Sequence, residues 1–217
     1  MKRIALIRHG LTKGNLSKCY IGKTEEPLCE MGINELLLKK ESGCYPLTDR
    51  IYCSPMLRCQ MTSNLLYPNK EYKIVSDFRE CDFGLFEGKN YKQLSKEPLY
   101  QQWIDSNGML PFPSGESRDF FEFRCREAYR NVIKELSKEA NKEVSNETNI
   151  LEINKKTDIE TYNRADAVLI VHGGTIMAIL SAFAAEKKDY YAWGCGNGNG
   201  YLLTAMEDGR LEVISKI

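Results

Sequence analysis

The 217-residue chain carries 30 Lys+Arg against 30 Asp+Glu, so its formal net charge is zero and no bulk field draws it to nucleic acid or to an anionic membrane. Hydrophobic residues make up 42 % of it, which at this length suits one large domain, spanning 1–217, with a sizeable core. No apolar run approaches the roughly 18 residues of a membrane span, and the first apolar stretch is too short for a secretory signal, so the expected compartment is the cytoplasm.

Residues 3–7, RIALI, read as a buried first strand that ends directly on Arg8, His9 and Gly10, with Thr12, Gly14 and Asn15 close behind. The pattern predicts a helix over 31–42 and a second strand over 49–54. Ser54-Pro55 then reads as a helix start, with Ser as N-cap and Pro at the first helical position, and the helix continues to Tyr67-Pro68. A short third strand is expected at 72–76. Residues 80–115 are rich in Gly, Pro and aromatics, with short helices around 91–105; such a segment often covers a site. The longest helix is expected over 115–139, with Phe120, Phe121, Ala128, Val132 and Leu136 as its apolar stripe. Residues 140–165 are polar and weakly periodic, and read as a surface insertion with a small hairpin around 149–162 as one reading. AVLIV at 167–171 is a buried strand, followed at once by His172, Gly173 and Gly174 and a helix from about 175 to 185. Two strands around a tight turn at Asp208-Gly209 close the chain.

Alternating strands and helices imply an α/β fold with a mostly parallel sheet, whose ligands sit at the carboxyl ends of the strands. The chain has two histidines, and each follows a strand directly. Arg58 lies in the first turn of the helix after the second strand. If those three strands are parallel neighbours, His9, His172, Arg8 and Arg58 converge on one sheet edge, where glycines let backbone N–H groups approach an anion. This is the composition of a phosphate pocket. The eight cysteines form no C-x-x-C pair and read as reduced thiols, small apolar fillers or incidental surface groups.

The motifs IRHGLTKGN (7–15), YIGKTEEPL (20–28), CSPMLRCQMT (53–62), FRECDFGLFEG (78–88), PSGES (113–117), VHGGT (171–175) and NGYLLT (199–204) run through nearly the whole chain. Together they resemble the histidine phosphatase superfamily, in its phosphoglycerate-mutase-like branch, and imply that branch's three-layer α/β/α fold with helices on both faces. The resemblance implies His9 as nucleophile, Arg8, Arg58 and His172 as the clamp on the phosphoryl oxygens, Asn15 as a further hydrogen bond, and Glu80 as general acid and base, with Asp82 and Glu87 as rival acids. It brings Thr12, Gly22, Thr24 and Gly173 in as substrate-binding candidates; Thr12 is equally read as a helix cap and Gly22 and Thr24 as a turn. Arg124 reads as a core pair. Tyr20, Tyr91, Trp103 and Phe112 either pack a lid or line a leaving-group pocket.

No metal and no cofactor is implied, because cationic side chains supply the electrostatics, and the implied partner is a small-molecule phosphomonoester, the protein being a monomer or homodimer. The Y-x-G-x-T-x-x-P-L stretch resembles α-ribazole phosphatases and the broad-specificity phosphatases near them, so α-ribazole 5′-phosphate is the specific expectation. A phosphoglycerate-mutase-type transfer is the alternative, and a non-catalytic phospholigand-binding protein on the same fold is a third.

Overall fold

The computed structural model describes residues 1–146 and 163–217. Its centre is a six-stranded sheet. Four strands precede the terminal pair: β1 (Lys2–Arg8), β2 (Ile51–Cys53), β3 (Lys73–Ile74) and β4 (Ala167–Val171). With β5 (Gly200–Ala205) and β6 (Leu211–Lys216) the order across the sheet is β3-β2-β4-β1-β5-β6. The β3, β2, β4 and β1 strands are mutually parallel, and β5 and β6 add antiparallel pairs at one edge. All five residues of β4 are buried, as an uninterrupted apolar run requires when both faces of a strand are covered.

The two faces follow the period of two along each strand. Ile4, Leu6, Leu169 and Val171 point to one side, against the long helix α6 (Arg118–Asn146) and α7 (Gly173–Phe183). Ala5, Ile7, Val168 and Ile170 point to the other, against α2 (Glu30–Glu41) and α3 (Leu57–Leu66). The first helix, α1 (Lys13–Leu16), is one turn at the end of β1, and α4 (Tyr91–Leu94) and α5 (Pro98–Asp105) belong to the covering segment. Helices on both faces of a sheet make the expected three layers. Among the described residues no helix is long and apolar enough to cross a membrane.

Register places the site. Arg8 lies opposite Val171 and Cys53 opposite Ile170, so β2, β4 and β1 end side by side. The residues that follow, Ser54, His172 and His9, therefore meet at one edge.

Several boundaries differ from the sequence expectation. Helix α3 starts at Leu57 with Met56 as an N-cap that makes no side-chain hydrogen bond. Ser54 and Pro55 precede it, and the Ser54 hydroxyl accepts from Met56 N at 3.4 Å while also meeting His172. The third strand shrinks to two residues. Helix α6 runs past 139 to Asn146, so the start of the expected surface insertion is helical, while the expected hairpin around 149–162 lies outside the described residues. Phe120 is exposed; the buried stripe of α6 is Phe121, Cys125, Ala128, Tyr129, Val132 and Leu136, the i, i+4, i+7 spacing of the core-facing side.

The eight cysteines are all free, five of them buried. Burial pushes the thiols of Cys59 and Cys125 up to about 12, which keeps them protonated and inert as fillers.

Leu169, wholly buried in the middle of β4, contacts the core that fixes this register. Leu169→Ala should cost about 2–5 kcal/mol in denaturant unfolding; a loss below about 1 kcal/mol would contradict the assignment of β4 as the central packed strand.

Candidate active site

His9 is held by its neighbours in sequence and across the sheet. Its backbone N–H donates to Val171 O at 2.9 Å, continuing the β1–β4 ladder one residue beyond the strand. Its ring Nδ1 lies 2.7 Å from Gly10 O. A carbonyl can only accept, so Nδ1 carries the proton and the lone pair of the neutral ring sits on Nε2. Burial, then the positive charges of Arg58 and Arg8, hold His9 well below the ordinary imidazole range, outweighing the Gly10 carbonyl, so the ring is neutral.

His172 is the N-cap residue of α7, with extended backbone and no exposed surface. Ser54 Oγ lies 2.7 Å from its Nε2, and Cys59 Sγ lies 3.5 Å from the same nitrogen. The two histidine rings meet edge to face at 5.2 Å between centroids. Burial, Arg58 and His9 push His172 down as well. Neither Ser54 nor Cys59 was singled out from the sequence: Ser-Pro is a strong helix-start signal, and it conceals the second use of the hydroxyl.

Arg58 is completely buried. Its Nη1 donates to Thr24 O at 2.9 Å and its Nη2 to Gly22 O at 2.8 Å. Arg8 donates from Nη1 to Cys195 O at 2.7 Å. The Nε of each guanidinium has no hydrogen-bond partner, and no ion pair joins either residue among the described residues. Buried cations without a carboxylate are costly in isolation and are suited to a multiply charged anion.

Gly22 and Thr24 contribute through this contact with Arg58. Their remaining polar groups are taken by Glu87, whose carboxylate accepts from Gly22 N at 3.1 Å, Lys23 N at 3.0 Å and the Thr24 hydroxyl at 2.6 Å. Glu87 also accepts from Phe83 N at 3.1 Å. It is therefore a clamp between two loops. Asp82, the other rival acid, pairs with the exposed Lys23 ammonium at 3.0 Å.

Glu80 sits differently. Its Oε1 accepts from Cys81 N at 3.0 Å and its Oε2 from Gly174 N at 3.3 Å. Burial raises its pKa above the ordinary carboxyl range, against the opposing pull of those two N–H groups and of Arg58 and Arg8. Gly174 has to be glycine here, since a Cβ would lie 2.5 Å from Glu80 Oε1 and 2.9 Å from the Phe121 ring. Gly173 brings the chain beside Arg8, whose Nε is 3.4 Å from where a Cβ would sit.

The backbone around Glu80 is fixed by Arg124. This buried guanidinium pairs with both oxygens of Glu116, at 2.6 and 2.7 Å. It also donates to the carbonyls of Asp77, Arg79 and Glu80 at 2.8, 2.7 and 3.0 Å. The expected core pair is thus present and holds the segment that presents Glu80.

Thr12 is buried and closes a capping box with Asn15: Asn15 N donates to Thr12 Oγ1 at 3.2 Å and Thr12 N to Asn15 Oδ1 at 3.4 Å. Asn197, unremarked in the sequence, donates from Nδ2 to Asn15 Oδ1 at 2.9 Å and to His9 O at 3.2 Å. It reaches Gly10 O, the carbonyl that sets the His9 tautomer, at 3.4 Å. With Oδ1 committed inward, Asn15 Nδ2 has no hydrogen-bond partner among the described residues. A contact spanning more than 180 residues has no local sequence signal.

Beside Arg8, Glu80 and Gly173 opens a cavity of about 300 Å³. Its wall is mostly apolar, with Tyr20, Phe83, Trp103, Phe112 and Phe121 facing it. Trp103 and Phe112 stack at 4.9 Å. Three of the four aromatics singled out from the sequence therefore line this cavity and also pack one another, while Tyr91 is exposed.

The chain matches the model of the histidine phosphatase superfamily (branch 1) over residues 4–145 and belongs to that superfamily. It is 23 % identical to phosphoserine phosphatase 1 of Hydrogenobacter thermophilus over 222 aligned residues, covering 100 % of this chain and 92 % of that one. It is 30 % identical to the adenosylcobalamin/alpha-ribazole phosphatase of Escherichia coli over 107 residues, 48 % of this chain and 53 % of that one. The crystal structure of the alpha-ribazole phosphatase from Shigella flexneri shares the fold with a TM-score of 0.71 at 20 % identity, over 97 % of this chain and 95 % of that one.

The unpaired guanidinium groups predict tight binding of a phosphate mimic. Orthovanadate titrated calorimetrically should bind, and Arg58→Met should weaken it at least tenfold, the loss of a charge-assisted contact worth about 1.5–3 kcal/mol. Undiminished binding in Arg58→Met would contradict the placement of the anion. Asn197→Ala should weaken it less, and its effect should shrink in an Asn15→Ala background.

Proposed function

We propose that this member of the histidine phosphatase superfamily hydrolyses small-molecule phosphomonoesters through a phosphohistidine on His9. The observation that carries the reading is the Nδ1–H bond of His9 to Gly10 O, which leaves Nε2 basic and unprotonated beside two arginines that have no counter-charge. Nε2 attacks phosphorus while the bond to the ester oxygen breaks. Arg8, Arg58, His172 and Asn15 hold the equatorial oxygens, where each preorganised donor is worth about 3 kcal/mol of barrier. Glu80, its pKa raised by burial, gives its proton to the departing alcohol. It then takes a proton from the incoming water, whose oxygen attacks phosphorus, breaks the N–P bond and frees inorganic phosphate. The cationic side chains supply the charge stabilisation, so no metal is required.

The cavity supports the finer reading. An aromatic-walled space of about 300 Å³ suits a bulky leaving group with a flat apolar part better than a compact phosphoglycerate. Of the substrates that the relatives' names suggest, α-ribazole 5′-phosphate fits that description, and hydrolysis is favoured over mutase-type transfer.

Purified protein should release phosphate from p-nitrophenyl phosphate in EDTA, and His9→Ala should abolish release; release that persists in His9→Ala would overturn the reading. In a substrate panel, α-ribazole 5′-phosphate should exceed sugar phosphates in kcat/KM. The pH profile follows from the two displaced groups. Activity is lost at low pH only as His9 protonates, below the ordinary imidazole range. It is lost at higher pH as Glu80 ionises, above the ordinary carboxyl range. Glu80→Gln should remove that second limb along with most of kcat; a limb that survives the substitution would assign the acid elsewhere.

A further inference from the structure

Resting on the phosphatase reading, we infer that Arg118 is a specificity-determining residue that recognises a hydrogen-bond acceptor on the leaving group, a carboxylate most strongly. The charged residues that line the cavity are Arg8 and Glu80 at the reaction centre and Arg118 away from it. Arg118 stands at the start of α6 with its guanidinium 4.0 Å above the Tyr190 ring. The Tyr190 hydroxyl donates to Gly174 O at 3.4 Å, and Gly174 N bonds Glu80. Arg118 therefore shares the side of the cavity on which Glu80 meets the departing oxygen.

The geometry of Arg118 is that of a prepared donor. Its Nε bonds Glu122 Oε1 at 2.6 Å, which locks the plane of the fork. Its two Nη groups have no acceptor among the described residues. Glu122 does not cancel the charge, because its other oxygen pairs with Arg126, so two guanidinium groups share one carboxylate. The stacking on Tyr190 spends the face of the guanidinium and leaves its edge for a ligand. A second donor faces the same cavity: Trp103 Nε1 is buried without a partner. The Arg118 Nη groups and Trp103 Nε1 are donors, as is Arg8 Nε at the reaction centre, so the wall asks for an acceptor on an otherwise apolar ligand. α-Ribazole meets that demand through a ring nitrogen; a carboxylate meets it in full.

The test uses three aryl phosphates in which a methylene insulates the phenolic oxygen from the substituent: 4-(carboxymethyl)phenyl, 4-ethylphenyl and 4-(aminomethyl)phenyl phosphate. The wild type should prefer the carboxylate ester to the ethyl ester by tenfold or more in kcat/KM, chiefly through KM, and should disfavour the ammonium ester. Arg118→Met should bring the carboxylate-to-ethyl ratio close to one, Arg118→Lys should keep part of it, and Arg130→Met should keep it, since Arg130 pairs with Glu127 and does not line the cavity. A ratio near one in the wild type, a preference that survives Arg118→Met, or an equal loss in Arg130→Met would each overturn the inference while the ethyl ester still turns over. Failure of the wild type to hydrolyse any of the three would overturn the phosphatase reading beneath it.

Discussion

Two guanidinium groups without a carboxylate partner, Arg58 buried and Arg8 half-buried, set the terms for everything around them. Arg8 and Arg58 are held by backbone carbonyls, which satisfy individual N–H groups but return no full negative charge. In a buried setting that excess favours a dianion strongly and disfavours further cations. Both histidines are neutral for this reason as well as through burial. Removing water from Glu80 has the converse effect, because desolvation outweighs the attraction of the same arginines. A neutral base and a carboxyl group of raised pKa beside an anion hole is the division of labour that acid–base and nucleophilic catalysis of phosphoryl transfer needs.

The surrounding structure keeps those charges where they are. Carbonyls accept from Arg58 only because the loop at 21–24 is tied to Glu87 on its other side. Arg124 and Glu116 do the same for the segment carrying Glu80, with Arg124 donating to three of its carbonyls. Asn197 secures the chain at His9 and orients Asn15 in one contact. Each device acts through backbone position, which suits a mechanism that relies on preorganisation more than on movement.

How much of this was legible in the sequence depends on range. AVLIV at 167–171 was readable to the residue because a strand covered on both faces is an unbroken apolar run. The meeting of His9, His172 and Arg58 followed from strands that end together, and the parallel register of β1, β4 and β2 provides it. Thr12 was open between site and cap; the spacing to Asn15 is that of a capping box, and the hydroxyl is used in it. Ser54 was misread because its local preference for an N-cap competes with a tertiary partner more than 110 residues away. The roles of Asn197, and of Arg118 over Tyr190, depend on contacts that no local pattern encodes. The phase of α6 was set by what it packs against, which is why Phe120 faces solvent while Phe121 is buried.

The central claim is that His9 takes the phosphoryl group. The direct measurement is rapid acid-free quenching during turnover of a phosphomonoester, followed by proteolysis and mass spectrometry of the phosphorylated peptide. The account predicts an acid-labile phosphoramidate on His9, absent in His9→Ala and accumulating when Glu80 is replaced by Gln and an activated aryl ester serves as substrate. A phosphate found on His172 or on any hydroxyl or carboxyl side chain, or turnover with no protein-bound phosphate at any quench time, would contradict it.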